Sequence, residues 1–109
     1  LFSRELSGGV SIADYPELGC SLVSLKGRRS NVCRMKMADE GFAIAYETDG
    51  AFPYMVLFRP DWTDAFSLEP YSCVTDAFNL PYEGTGAGGI AAGEVRSFST
   101  CMWIERIGD

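Results

Sequence analysis

Between Val32 and Met37 the chain reads V-C-R-M-K-M, so that Val32, Arg34 and Lys36 alternate with Cys33, Met35 and Met37. Alternation with a period of two belongs to a half-buried strand, here with Cys33, Met35 and Met37 facing in, and does not fit one face of a helix. Phe42 to Thr48, F-A-I-A-Y-E-T, repeats the pattern with Phe42, Ile44 and Tyr46 on one face. C-S-L-V-S-L-K, bounded by Gly19 and Gly27, offers a further strand. Pro53 to Phe58, P-Y-M-V-L-F, is a continuous apolar run of the length expected for a strand covered on both faces. The turn residues Thr48-Asp49-Gly50 make it a hairpin candidate with the preceding strand. Ala65 to Tyr71 and Val95 to Ile107 supply the last two candidates, and no segment carries a convincing helical period. Six strands separated by Gly, Pro, Asn and Asp turns predict an all-β sandwich or a piece of one.

At 109 residues the chain has room for one domain, or part of one, spanning 1–109. Apolar residues at 47% and charged residues at 22% are ordinary globular usage, so the chain is expected to fold. The formal charge of −6 disfavours nucleic acid and anionic membrane surfaces as partners. No apolar run approaches the ~20 residues of a membrane helix, and the N-terminus lacks a secretory pattern, so a soluble, cytoplasmic protein is expected. Leu1 at the start suggests a cut through a longer polypeptide. Cys20, Cys33, Cys73 and Cys101 form no C-x-x-C pair, which leaves a zinc site without support and favours buried free thiols over disulfides. Histidine is absent, which removes any Ser-His-Asp or Cys-His arrangement confined to this chain.

Gly84, Gly86 and Gly89 match G-x-G-x-x-G, but the residues after them are β-patterned. With no helix to aim a dipole at a pyrophosphate, Gly84 to Gly93 reads as a surface loop. Glu69 is of a different kind. It stands among Phe66, Leu68, Pro70 and Tyr71, where apolar neighbours would desolvate its carboxylate and make it a stronger proton acceptor near neutral pH. Pro70 removes a ladder donor, as expected at a sheet edge or a site mouth. On these residues alone, an exposed or ion-paired glutamate is the competing reading.

The order F-P-Y-x-V-L-F-R-P, then L-E-P-Y-x-C-x-T-D-A-F-N-L, then G-x-x-x-G-E before a final strand resembles the C-terminal end of aldose 1-epimerases (galactose mutarotases). The resemblance runs from about Phe52 to Leu80 and more loosely from Gly89 to Ile107, where Ala92 replaces a proline often found before G-E. It implies the C-terminal part of a galactose-mutarotase-like β-supersandwich. It also implies that Glu69 is the catalytic base, and by position and order it makes Asp14, in I-A-D-Y-P, the candidate for the aspartate that hydrogen-bonds the sugar, with a solvated loop aspartate as the alternative. The family's two histidines, one of them the acid that protonates the ring oxygen, lie further N-terminal and are not in this chain.

The activity so implied is interconversion of α and β anomers of a free aldose such as galactose or glucose, with no metal or organic cofactor. Trp62 and Tyr71 are candidates for stacking on a sugar face, with a place in the core as the alternative. Thr75, Asp76 and Asn79 read as a self-capping turn. A hexose 6-phosphate substrate would call for convergence of Arg28, Arg29, Arg34 and Arg59. A non-catalytic carbohydrate-binding or sugar-sensing module is the rival. The expected partners are a monosaccharide and either the remainder of the polypeptide or further copies of this chain.

Overall fold

A computed structural model describes residues 8–16, 18–81 and 88–108. The fold is all-β. Its strands are β1 (Gly19–Ser24), β2 (Ser30–Met37), β3 (Phe42–Asp49), β4 (Tyr54–Arg59), β5 (Ser67–Tyr71) and β6 (Thr100–Arg106). Among the described residues the helical content is three single 3-10 turns, Ile12–Asp14, Ala38–Glu40 and Ala77–Asn79. All pairing is antiparallel, in two three-stranded sheets of order β1-β4-β5 and β2-β3-β6. Each sheet belongs to its own compact unit.

In the first unit β4 is central because its run Tyr54–Arg59 is apolar on both faces. Met55 and Val56, which point to opposite faces, are both buried, and each contributes about 1.5–3 kcal/mol by leaving water. β5 is an edge, and Pro70 stands on it.

In the second unit the period-two reading holds residue by residue. Cys33, Met35 and Met37 lie opposite Tyr46, Ile44 and Phe42, so both half-buried sets share one face. The other face is organised by small residues. Arg34 is opposite Ala45 and Glu105 opposite Ala43, and both alanines are fully buried. With no side chain in the way, the Arg34 guanidinium reaches over β3 to the Glu105 carboxylate, its Nε donating at 2.9 Å and its second nitrogen at 3.1 Å. Trp103 Nε1 donates to the same carboxylate at 3.0 Å.

Four expectations need correction. The hairpin of Phe42–Thr48 with Pro53–Phe58 does not form, because β3 has β2 and β6 on its two edges and β4 pairs with β1 and β5. Asp49 turns the chain away between them. Its Oδ1 accepts the Ala51 N–H at 2.9 Å and its Oδ2 accepts the Ser99 N–H at 2.8 Å, while a Cβ on Gly50 would run into the Arg28 carbonyl oxygen. The last strand starts at Thr100 rather than Val95, since the ladder with β3 ends where Asp49 N–H meets the Ser99 carbonyl. The fifth starts at Ser67 rather than Ala65, beside Phe58 near the end of β4. The four cysteines are free, but Cys20 and Cys101 are exposed and Cys33 and Cys73 half-buried. Cys20, Cys33 and Cys101 lie on strands whose sheets leave those faces partly open, and Cys73 lies in the bend after β5. Gly84 and Gly86 lie outside the described residues; residues 88–93 are exposed and irregular.

Candidate functional site

β5 is short, and each of its residues is half-buried. Alternation puts Ser67, Glu69 and Tyr71 on one face, with Phe58, Val56 and Tyr54 of β4 directly opposite them. Val56, directly across from Glu69 on β4, is buried, so the glutamate has an apolar neighbour on that face. Ser67 Oγ donates to Glu69 Oε2 at 2.8 Å. A hydrogen bond between residues two apart on the same strand face fixes the side-chain rotamer and leaves Oε1 for another partner. The arrangement is a carboxylate with one oxygen oriented, an apolar cross-strand neighbour and an aromatic ring two positions along. It can accept a proton from a hydroxyl brought to that face.

Glu69 and Tyr71 are therefore brought together. The other two candidates sit on connections at the end of the sheet where β4 finishes. Asp14 is exposed, on the 3-10 turn Ile12–Asp14. Trp62, in the link from β4 to β5, is 77% exposed, so it is not a core residue. Tyr71 lies at the far end of β5, opposite Tyr54.

Arg59 is the residue at this end whose role the sequence did not show. Its guanidinium donates to the Ile12 carbonyl at 2.6 Å and the Tyr15 carbonyl at 3.4 Å, clasping the turn that carries Asp14 to the last residue of β4. Strand alternation sends Arg59 to the face opposite Glu69, so the clasp holds the Asp14 turn from the other side of the sheet. Two carbonyl acceptors nearly fifty residues upstream leave no signal in the pattern around Arg59. The same contacts bear on a phosphorylated substrate. Arg59 is committed to carbonyls and Arg34 to Glu105, so neither is waiting for an anion.

After Glu69 the chain makes the expected turn, but no side chain caps its backbone: Asn79 N–H donates to the Asp76 carbonyl at 3.0 Å, and the two side chains bond each other instead. Asp76 adopts φ 59°, in the left-handed region that Asp tolerates better than most residues, and Asn79 Nδ2 donates to Asp76 Oδ1 at 2.7 Å. In the second unit a shallow open hollow is lined by Glu40, Gly41, Phe42, Ile104 and Arg106, none of them a candidate for sugar chemistry. Among the described residues no three His, Cys, Asp or Glu side chains gather as a metal site, and no helix is long and apolar enough to cross a membrane.

Comparison with known protein families, with curated proteins and with solved structures returns no match for this chain.

Proposed function

We propose that this chain supplies the base of an aldose 1-epimerase, and that its two sheets are the C-terminal portion of a galactose-mutarotase-like β-supersandwich. The observation that carries the reading is the Ser67–Glu69 pair. It is a half-buried carboxylate with one oxygen held at 2.8 Å and an aromatic ring on the same strand face, within the L-E-P-Y segment that motivates the resemblance. Glu69 takes the proton of the C1 hydroxyl while an acid outside this chain protonates the ring oxygen. The C1–O5 bond breaks to give the open aldehyde. Rotation about C1–C2 and reclosure with the protons returned give the other anomer, so no cofactor is consumed. Tyr71 offers the sugar an apolar ring; Asp14, at the other end of the sheet, is assigned as a hydroxyl partner by the resemblance alone.

The test is Glu69→Gln in the polypeptide that joins this chain to its ring-oxygen acid, followed by polarimetry of fresh α-galactose and α-glucose. The amide keeps the shape but not the basicity, so kcat is expected to fall roughly 10²–10⁴-fold with sugar binding largely retained. A kcat within about threefold of the parent in a folded variant would remove Glu69 from the chemistry.

The exposure of Trp62 favours a second reading, a carbohydrate-binding module that performs no reaction. Under it the parent polypeptide binds sugar, Trp62→Ala abolishes that binding, and no anomer exchange above the buffer rate is seen.

A further inference from the structure

The two edges of the second sheet are built differently. Among the described residues neither β2 nor β6 has a strand on its outer side. β2 is guarded by Lys36 at an exposed position, the kind of charge that keeps an edge from templating another strand. β6 has no proline, lysine or bulge between Thr100 and Arg106, and its one internal charge, Glu105, is already engaged by Arg34 and Trp103. On its other face Met102 is 61% and Ile104 71% exposed.

The backbone hydrogen bonds fix which groups face outward. Ile107 N–H donates to the Gly41 carbonyl and Asp49 N–H to the Ser99 carbonyl, so the odd-numbered residues of β6 point their backbone groups at β3. The N–H and C=O of Thr100, Met102, Ile104 and Arg106 therefore point away from the sheet. We propose that β6 is a homodimer interface, in which the strand pairs antiparallel with β6 of a second copy about a two-fold axis at Trp103.

The register follows from the sequence. With the axis at Trp103 all seven residues of β6 find a partner, Met102 opposite Ile104 of the other copy and Thr100 opposite Arg106, each a pair whose backbone groups face one another. That makes about eight backbone hydrogen bonds, two for each facing pair. Apolar meets apolar, and no charge stands opposite a like charge. Moving the axis to Glu105 sets Glu105 against Glu105, and moving it to Ile104 sets Met102 against Arg106. The Trp103 axis also makes one apolar face continuous across six strands, from Met35 and Ile44 through Ile104 and Met102 to the same residues of the second copy.

The test is sedimentation equilibrium on this 109-residue chain and two variants. Met102→Pro removes an N–H that points outward and leaves the β3 ladder intact. Val32→Pro does the same on the outer side of β2, whose even-numbered residues face away from β3. The parent and Val32→Pro are expected to dimerise, and Met102→Pro to remain monomeric over the same concentrations with an unchanged far-UV spectrum. A monomeric parent overturns the proposal, as does a folded Met102→Pro that dimerises like the parent. Trp103→Cys in a Cys20→Ser/Cys101→Ser background gives an independent readout. Facing residues at a non-hydrogen-bonded position are about 4.5 Å apart at Cα, within disulfide range, so mild oxidation should yield a covalent dimer that the background alone, without its two exposed thiols, does not form. Failure of a folded Trp103→Cys chain to cross-link refutes the two-fold axis.

Discussion

Arg59→Met tests whether one guanidinium holds the Asp14 turn to the first sheet. Methionine keeps much of the aliphatic stem and deletes the donors, so the change isolates the hydrogen bonds from the packing. The 2.6 Å contact to the Ile12 carbonyl is a charge-assisted bond in a half-buried setting, and the 3.4 Å contact to Tyr15 lies near the limit of one. Bonds to charged groups contribute about 1.5–3 kcal/mol; partial exposure argues for the lower end, so a local loss near 1.5 kcal/mol is expected. The turn's own bonds are few: Asp14 N–H to Ser11, Tyr15 N–H to Ile12 and Leu18 N–H to Tyr15. Their opening is local, so the loss should appear as roughly tenfold faster amide exchange at Asp14, Tyr15 and Leu18. Exchange at Met55 and Val56 in the middle of β4 should not change. Hydrogen exchange followed by NMR reads both sets in one sample. If the three amides change by less than about threefold, or are unprotected in the parent, the clasp does not hold the turn. If the proposed function holds, the same substitution in the longer polypeptide is expected to raise KM for the aldose more than it lowers kcat, since that proposal assigns Asp14 to positioning and Glu69 to the chemistry.

Two further outcomes follow from polar groups of the structure. Thr48 is fully buried and its Oγ1 has no hydrogen-bond partner, so Thr48→Val should stabilise the fold by about 1 kcal/mol; a lower urea midpoint would refute this. The carboxylate of Glu105 is held below its ordinary range by the hydrogen bond from Arg34 first and that from Trp103 next. A depressed carboxylate adds stability above its unfolded pKa and loses it as pH falls through its folded one. The stability gap between the parent and Glu105→Gln should therefore be full at neutral pH and close below the ordinary carboxylate range, whereas a gap independent of pH would sever it from this ion pair.

The strands were legible because each is patterned by burial on its own sheet. V-C-R-M-K-M and F-A-I-A-Y-E-T alternate, and Met55 and Val56 are buried back to back, which is why P-Y-M-V-L-F is apolar throughout. Pairing was less legible. β3 and β4 are separated by turn-forming residues and look like a hairpin, but the decision is made by Asp49, whose carboxylate caps Ala51 and Ser99 at once, and the second partner is fifty residues away. The site divides the same way. The local order S-L-E-P-Y suffices to place Ser67, Glu69 and Tyr71 on one face, whereas the clasp from Arg59 to Ile12 is a side-chain-to-carbonyl contact that no residue pattern encodes.

Long-range pairing still has to be specified by something, and for β6 the Ala43–Ala45 face supplies it. Sliding β6 by one residue along β3 would move Glu105 and Trp103 to the Met35–Ile44 face and leave Arg34 without its partner. A slip of two keeps the faces but carries Glu105 away from Ala43, the position from which its carboxylate reaches both Arg34 Nε and the second guanidinium nitrogen. Both errors lose a bidentate contact, and the first also exchanges apolar Ile104 for a charge on the face that carries Met35 and Tyr46. The two small residues of β3 thus act through what they leave open. They let a charge on β2 read the register of β6 across the strand between, which joins segments seventy-one positions apart without a local turn to guide them.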